Sequence, residues 1–323
     1  MPLGSGMAAQ IGFVSETSYG LGVTVTKFTP LVSETMEPDP ERKESKGIVA
    51  GARVIKSDQW NVGVTRVSGD VQLELFEQGI GTLFRHMFGS VTSSTTAGLS
   101  THTFTPGDLT GQSMTVQIGR PQVGGVVMPS TYAGVKVASW EIAIAADENA
   151  TLGLTLLAKT ETTGTALASV TYVTGAARPF IPTRSTLTTM SISGSTVNVR
   201  ELRISGDNML SKERVVIGST SIDEPLEAGL RVYEGTATME FSSTAHYQQF
   251  LNGGEYGIAL GLVDGGAAVQ FSINARFDAG TPNVKGPDLI VYDRKFKCIA
   301  SSMTNDATAI TAVLLNSQTA GQI

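Results

Sequence analysis

Two carboxylates stand alone in alternating apolar stretches. Glu74 lies in GDVQLELFEQGIGTLF, starting at Gly69, where Val71, Leu73 and Leu75 alternate with Gln72, Glu74 and Phe76. Glu240 lies in GTATMEFSSTAHYQQF, starting at Gly235, which reads as the same phrase. Paired carboxylates work as general acid and base when their surroundings hold their proton affinities apart. These two occupy equivalent positions on the polar side of two strands, so the expectation is a solvated outer face. The histidines are His86, His102 and His246. None lies three or four residues from another, as a helix-borne zinc pair requires. His86 and His246 read as exposed or helix-end residues. Cys298, in KFKCIAS, reads as a small core residue with no base nearby in sequence.

Other chemistry-bearing patterns are missing. The sequence has no Gly-x-Ser-x-Gly elbow, no P-loop and no metal-binding aspartate run. GLVDGG, residues 261–266, is glycine-rich, but no helix follows it, so it reads as a hairpin turn and not a phosphate cradle. Asn149-Ala150-Thr151 matches a glycosylation sequon by chance, since no secretion signal is read at the start of the chain. No enzyme activity, cofactor or metal is expected.

Composition points the same way. Charged residues make up 16% of the 323, against about 25% in ordinary soluble domains. With 36 glycines and many β-branched residues, this suggests an all-β protein with much surface hidden in contacts. The net charge of −6 lacks the basic footprint of a nucleic-acid binder, though a polyanion could slide past such a surface. One cysteine excludes a disulfide framework. No apolar run is long enough to span a membrane, and the expected site of synthesis is the cytoplasm.

The elements that would position these residues are mostly strands. SMTVQIG, ASWEIAIA, TLGLTLLA and AAVQFSINARF alternate with period two and are separated by Gly, Ser, Thr and Asn. Two helices are expected. One gathers Ile80, Leu83, Phe84, Met87 and Phe88 and stops at Gly89; the other gathers Tyr247, Phe250 and Leu251, with Ser243 or Thr244 as N-cap and Gly253 at its end. Residues 90–104 read as a Ser/Thr/Gly connection, mobile unless docked.

Each helix follows one of the lone glutamates, which suggests an internal duplication. Gly69, Glu74 and Phe84 fall on Gly235, Glu240 and Phe250 at one common offset. Glu41–Arg42 fall on Glu213–Arg214 at a slightly larger offset, and Leu156–Leu157 on Leu314–Leu315 at a smaller one. The offset shrinks along the chain, as shorter loops in the second copy would require. The expected organisation is a first domain over 1–160, a linker over 161–190 and a second domain over 191–323. Residues 34–47 hold the densest charge. Glu37, Asp39, Glu41, Arg42, Lys43, Glu44 and Lys46 there, echoed by Asp207, Lys212, Glu213 and Arg214, read as two hairpin arms reaching a neighbour through ion pairs.

The chain resembles the tail tube (major tail) proteins of siphophages. The resemblance rests on the Glu16-x-x-Tyr19-Gly20-x-Gly22 element within GFVSETSYGLGVTVTKFTPLVSETM and on VSGDVQLELFEQGIGTLFRHMFG. YAGVKVASWEIAIA, VRELRISGDNMLSKERVVIG and EGTATMEFS extend it, over roughly residues 12–271. The resemblance implies a β-sandwich or half-barrel with one short flanking helix per copy, and edge-to-edge rings stacked into a virion tail tube. Tape-measure and tail-terminator or tail-tip proteins would be its partners, and DNA would pass through the lumen without specific binding. Two domains per chain suggest a trimeric ring with pseudo-sixfold symmetry, a hexamer of chains being the alternative. Glu74 and Glu240 are then candidates for the lumen face. A tail-tip or adhesin module binding a receptor is the competing reading; such a module should show an aromatic platform, whereas Trp60 and Trp140 both fall in strand patterns.

Overall fold

Alternation in the sequence becomes strand throughout. The computed structural model describes residues 5–173, 178–183, 189–284 and 286–323. In chain order the first half contains β1 (Gln10–Ser15), β2 (Lys27–Thr29), β3 (Ser33–Glu34), β4 (Glu37–Glu44), β5 (Trp60–Glu74) and α1 (Gly81–Phe88). It continues through β6 (Gly89–Thr96), β7 (Leu99–Pro106), β8 (Met114–Pro121), β9 (Val127–Ala145), β10 (Thr151–Ala158) and β11 (Thr160–Thr162). The second half contains β12 (Thr189–Ile192), β13 (Ser195–Val197), β14 (Val199–Asp207), β15 (Val232–Glu240), α2 (Thr244–Asn252), β16 (Glu255–Asp264), β17 (Ala267–Ala279), β18 (Val291–Cys298) and β19 (Ile310–Asn316). All pairings between these strands are antiparallel, so the fold is all-β with a β-sandwich layering.

Two long strands make the layers. The start of β9 pairs with β8 and β11, and its end with β10 and β14. β17 does the same with β16 and β19, then β18. One layer therefore runs without a break through β4, β5, β10, β9, β14, β15 and β18, crossing from one half to the other at β9–β14.

The registers repeat. Glu74 pairs with Thr151 in the first half, and Glu240 pairs with Val291 in the second. Leu75 N donates to Ala150 O at 2.7 Å, and Phe241 N to Ile290 O at 3.0 Å. The β9–β10 pair slips between Thr155 and Leu156; the β17–β18 pair slips between Lys295 and Phe296, at the same distance along the chain as Val291 lies beyond Thr151. Even the close approaches match: a Cβ on Gly69 would lie 2.5 Å from Thr35 O, and one on Gly235 would lie 2.5 Å from Arg203 O. One sequence match is corrected. The strand that answers β10 is β18, whereas β19 answers β11, as Ile310↔Ile273 answers Thr160↔Ala133. The Leu-Leu pairs at 156 and 314 are alike because both are strand interiors.

Residues 90–104 are docked. They form the β6–β7 hairpin, and β7 pairs with β19 of the second half. The hairpin occupies the stretch where the first half is longer. Pro121↔Val127 is answered by Asp264↔Ala267, so equivalent residues lie closer along the chain at β8 than at β5.

Both expected helices form. α1 ends on Gly89 (φ 96°) and α2 on Gly253 (φ 61°), each left-handed as a helix C-cap favours. Ser243 caps α2 by accepting from Ala245 N. α1 is almost wholly buried between the halves: Phe84 packs on Phe104 and Phe271, and Phe88 on Trp140 and Tyr233. A single apolar cluster therefore includes residues of both halves. Of the expected linker, 174–177 and 184–188 lie outside the described residues. Phe180 is buried, donates to Leu75 O and accepts from Ala150 N, both at 2.9 Å, which ties it to the ends of β5 and β10.

Candidate conduit face and assembly arms

Glu74 and Glu240 end the equivalent strands β5 and β15 and lie on the outward face of the same continuous layer. Alternation places them there: Val67, Val71 and Leu73 face the core, which leaves Asp70, Gln72 and Glu74 outside. Asn149 Nδ2 donates to Glu74 Oε1 at 2.6 Å, and Arg200 Nη2 pairs with Glu240 Oε1 at 2.9 Å. These are surface contacts and give neither carboxylate a proton-transfer partner. A groove of about 480 Å³ crosses the β9–β14 junction between them. It has four acidic residues among its lining, Asp70, Glu141, Asp207 and Glu234, together with polar residues such as Ser139, Thr155 and Ser205 and the apolar Val71, Trp140, Leu154 and Val232. Arg203 stands beside it, 3.5 Å from Glu141. The parity of Asp70 with Glu74 was readable in the sequence; that Glu141 and Glu234 join them was not, because it depends on the β9–β14 pairing.

The charged stretches take two forms. The first arm is a hairpin: β4 pairs with β5, Glu37, Asp39 and Glu44 lie exposed along β4, and Lys46 is exposed in the loop that follows. Arg42 lies over the Trp60 ring at 5.7 Å, and Glu41 pairs with Lys43. The second arm corrects the expectation of a matching hairpin. After Asp207, which accepts from Met209 N at 2.7 Å, residues 208–231 form an irregular excursion held by a Leu210–Glu227 bridge. Lys212 is exposed, and Arg214 pairs with Asp223 at 3.1 Å. The arms meet within the chain: Arg66 lies 2.8 Å from Glu213 and 3.8 Å from Glu41, and Thr65 N donates to Thr220 O at 2.9 Å. Strand register makes Asp39, not Glu41, the end of the repeat, since it answers Asp207.

His86, His102 and Cys298 lie apart from this face, in buried positions. His86 lies in the last turn of α1, the helix-end position expected, and is buried there; its Nε2 is 2.9 Å from Ser15 Oγ, and burial holds its ring at a pKa of about 3. His102 is buried between Ser93 Oγ (2.8 Å) and Gln318 O (2.9 Å), and burial also lowers its pKa. The side chain of His246 lies outside the described residues. Cys298 sits in the core, where burial pushes its thiol up to about 12. Among the described residues no group of three or more His, Cys, Asp or Glu could hold a metal ion. No helix among them is long and apolar enough to cross a membrane.

The chain thus combines a continuous sheet face with two charged segments that meet each other at Arg66 and Glu213. A sequence model of the phage tail tube protein family matches residues 6–298, and the chain belongs to that family. It is a structural component of the phage tail. A search among curated proteins found no match.

Proposed function

We propose that the chain carries two tail-tube domains in tandem, 1–160 and 191–323 joined by 161–190, and that three chains close a ring of six domains. Rings stack into the tail tube, capped by tail-terminator and tail-tip proteins and spanned inside by a tape-measure protein. The observation that carries this is the repeated register, with its shared bulge, inside one uninterrupted layer. A chain that already joins two equivalent units edge to edge needs a heterologous contact that closes to make a ring. Three copies supply six units.

The outward face bearing Glu74, Glu141, Glu234 and Glu240 forms the lumen wall. An acid-rich wall repels phosphate, so viral DNA slides during ejection without being held. The arms serve stacking and lateral contact. The second arm reaches Thr65 and Arg66 of the other half, so the first arm is placed to reach the neighbouring chain in the same way. Two-dimensional averages of assembled tubes test the ring. Threefold rings with six similar lobes are expected; six separate chains per ring would refute the trimer.

A further inference from the structure

The β9–β14 junction inside the chain specifies which edges are left for a second copy. β14 answers β3–β4, since Ser205 pairs with Glu234 as Glu37 pairs with Ser68. β17 answers β9, since Phe277 and Ala279 flank its bulge as Val137 and Ser139 flank the bulge of β9. The junction pairs Glu141 with Ser205, Ile142 with Ile204 and Trp140 with Gly206. Carried over to the equivalent residues, it sets Thr281 opposite Glu37, Pro282 opposite Met36 and Gly280 opposite Pro38. Among the described residues both edges are open. β3 and β4 pair only with β5, and β17 beyond Arg276 pairs only with β18.

Three features fit these edges to each other. Thr35 N donates to Asp70 O at 2.9 Å, so Thr35 faces β5 and the N–H and C=O of Met36 point outward. Met36 N donates to the side chain of Glu34 at 2.9 Å. Met36 O already accepts from Arg120 Nη2 at 2.5 Å and from Tyr132 Oη at 3.0 Å. The residue set opposite it, Pro282, has no N–H to offer. A satisfied carbonyl thus meets a residue that brings no donor. At the position answering Arg120 the second half has Val263, and there β9 presents Ile142, which has an N–H.

Side-chain bulk is exchanged as well. In the internal junction Trp140 lies so close to Gly206 that a Cβ there would overlap its ring. At the open edges Gly280 takes the place of Trp140, and an exposed proline, Pro38, takes the place of Gly206. The helices differ accordingly: α1 is buried at the internal junction, whereas Leu251 of α2 is 54% exposed.

We propose that these two edges pair between chains, the 279–283 segment of one copy adding antiparallel to β3–β4 of the next in this register. The pairing rests on the ring reading above. Pro38 and Pro282 each remove one backbone hydrogen bond that the internal junction can make, so the seam between chains is the weaker one.

Disulfide trapping tests it in the full-length chain. Glu37→Cys with Thr281→Cys forms a non-hydrogen-bonded pair with Cα atoms about 4.5 Å apart, within disulfide reach. Thr35→Cys with Asn283→Cys is a second such pair, which guards against one variant failing to fold. Glu44→Cys with Thr281→Cys is the control, roughly 23 Å out of register at about 3.3 Å per residue. Oxidised tubes of the in-register pairs should run as dimers and larger species without reductant, and the control as single chains. If tubes form but neither pair cross-links above the control, the prolines only blunt the edges against association; the pairing is then wrong while the tail-tube reading stands. If the wild-type chain forms neither discs nor tubes, the ring reading fails and the pairing with it.

Discussion

Helices α1 and α2 follow equivalent strands and end on equivalent left-handed glycines, yet their surroundings differ. α1 is buried by both halves through Phe84 and Phe88, whereas α2 keeps an open face at Leu251. The strand alternation before each helix and the C-cap glycine after it are the same, because each is a property of a few adjacent residues; the N-caps differ, Ser243 capping α2 where Ile80 opens α1 without a side-chain cap. Burial depends on what lies beyond the next sheet edge. For α1 that is the second half of the same chain; for α2, in the proposed ring, it is another chain.

Phe88→Ala should give the largest effect, a loss of about 3–5 kcal/mol in the urea unfolding of the dissociated chain. Leu251→Ala in the same assay should stay within about 0.5 kcal/mol yet lower tube yield. Equal losses would mean that the helices are not differently buried in the free chain.

The matching glycines come next. Gly69→Ala and Gly235→Ala both drive a methyl group into a backbone oxygen, so each should cost about 1–3 kcal/mol. A large cost at one and none at the other would break the equivalence of the halves.

Acid should separate the halves. Burial depresses the folded-state pKa of His86 from 6.5 to about 3. Its contribution is therefore complete above pH 6.5 and is lost as pH falls toward 3, with about 2 kcal/mol gone at pH 5. His102 shifts in the same direction, and both belong to the first half. Hydrogen exchange at pH 5 and pH 7.5 should show the first half loosening first, and His86→Gln should reduce the difference.

Charge reversal at Arg42 and Arg214 is expected to change stability by under about 1 kcal/mol, since the exposed Arg214–Asp223 pair and the exposed contact of Arg42 with the Trp60 ring are each worth little. It should nevertheless reduce tube yield, and wild-type yield would refute a contact role for the arms. The smallest effect on folding is expected from Glu74→Lys with Glu240→Lys. The fold should be unchanged and genome delivery slowed; unchanged infectivity would end the lumen assignment.

Much of this was legible in the sequence. The helix ends at Gly89 and Gly253, the outward parity of Glu74 and Glu240 and the turn at GLVDGG each depend on neighbouring residues, and each is in place. What was not legible shares one cause. That residues 90–104 are docked was not legible because the strand that orders them, β19, lies near the other end of the chain, as Thr103↔Val313 shows. The burial of His86 was not legible because Ser15, which meets its ring, lies 71 residues away along the chain. Leu156–Leu157 were matched to the wrong strand because residue type records burial but not which neighbour supplies the hydrogen bonds.

The β6–β7 hairpin is present in one half only and adds two strands beside β19, away from the acid-rich face. In a ring of three chains it would stand at every second position around the outside and nowhere in the bore. The same tube would then present threefold relief to whatever grips it from outside and near-sixfold smoothness to what travels within. The hairpin would also serve as a built-in fiducial for telling the two domains apart in projection images.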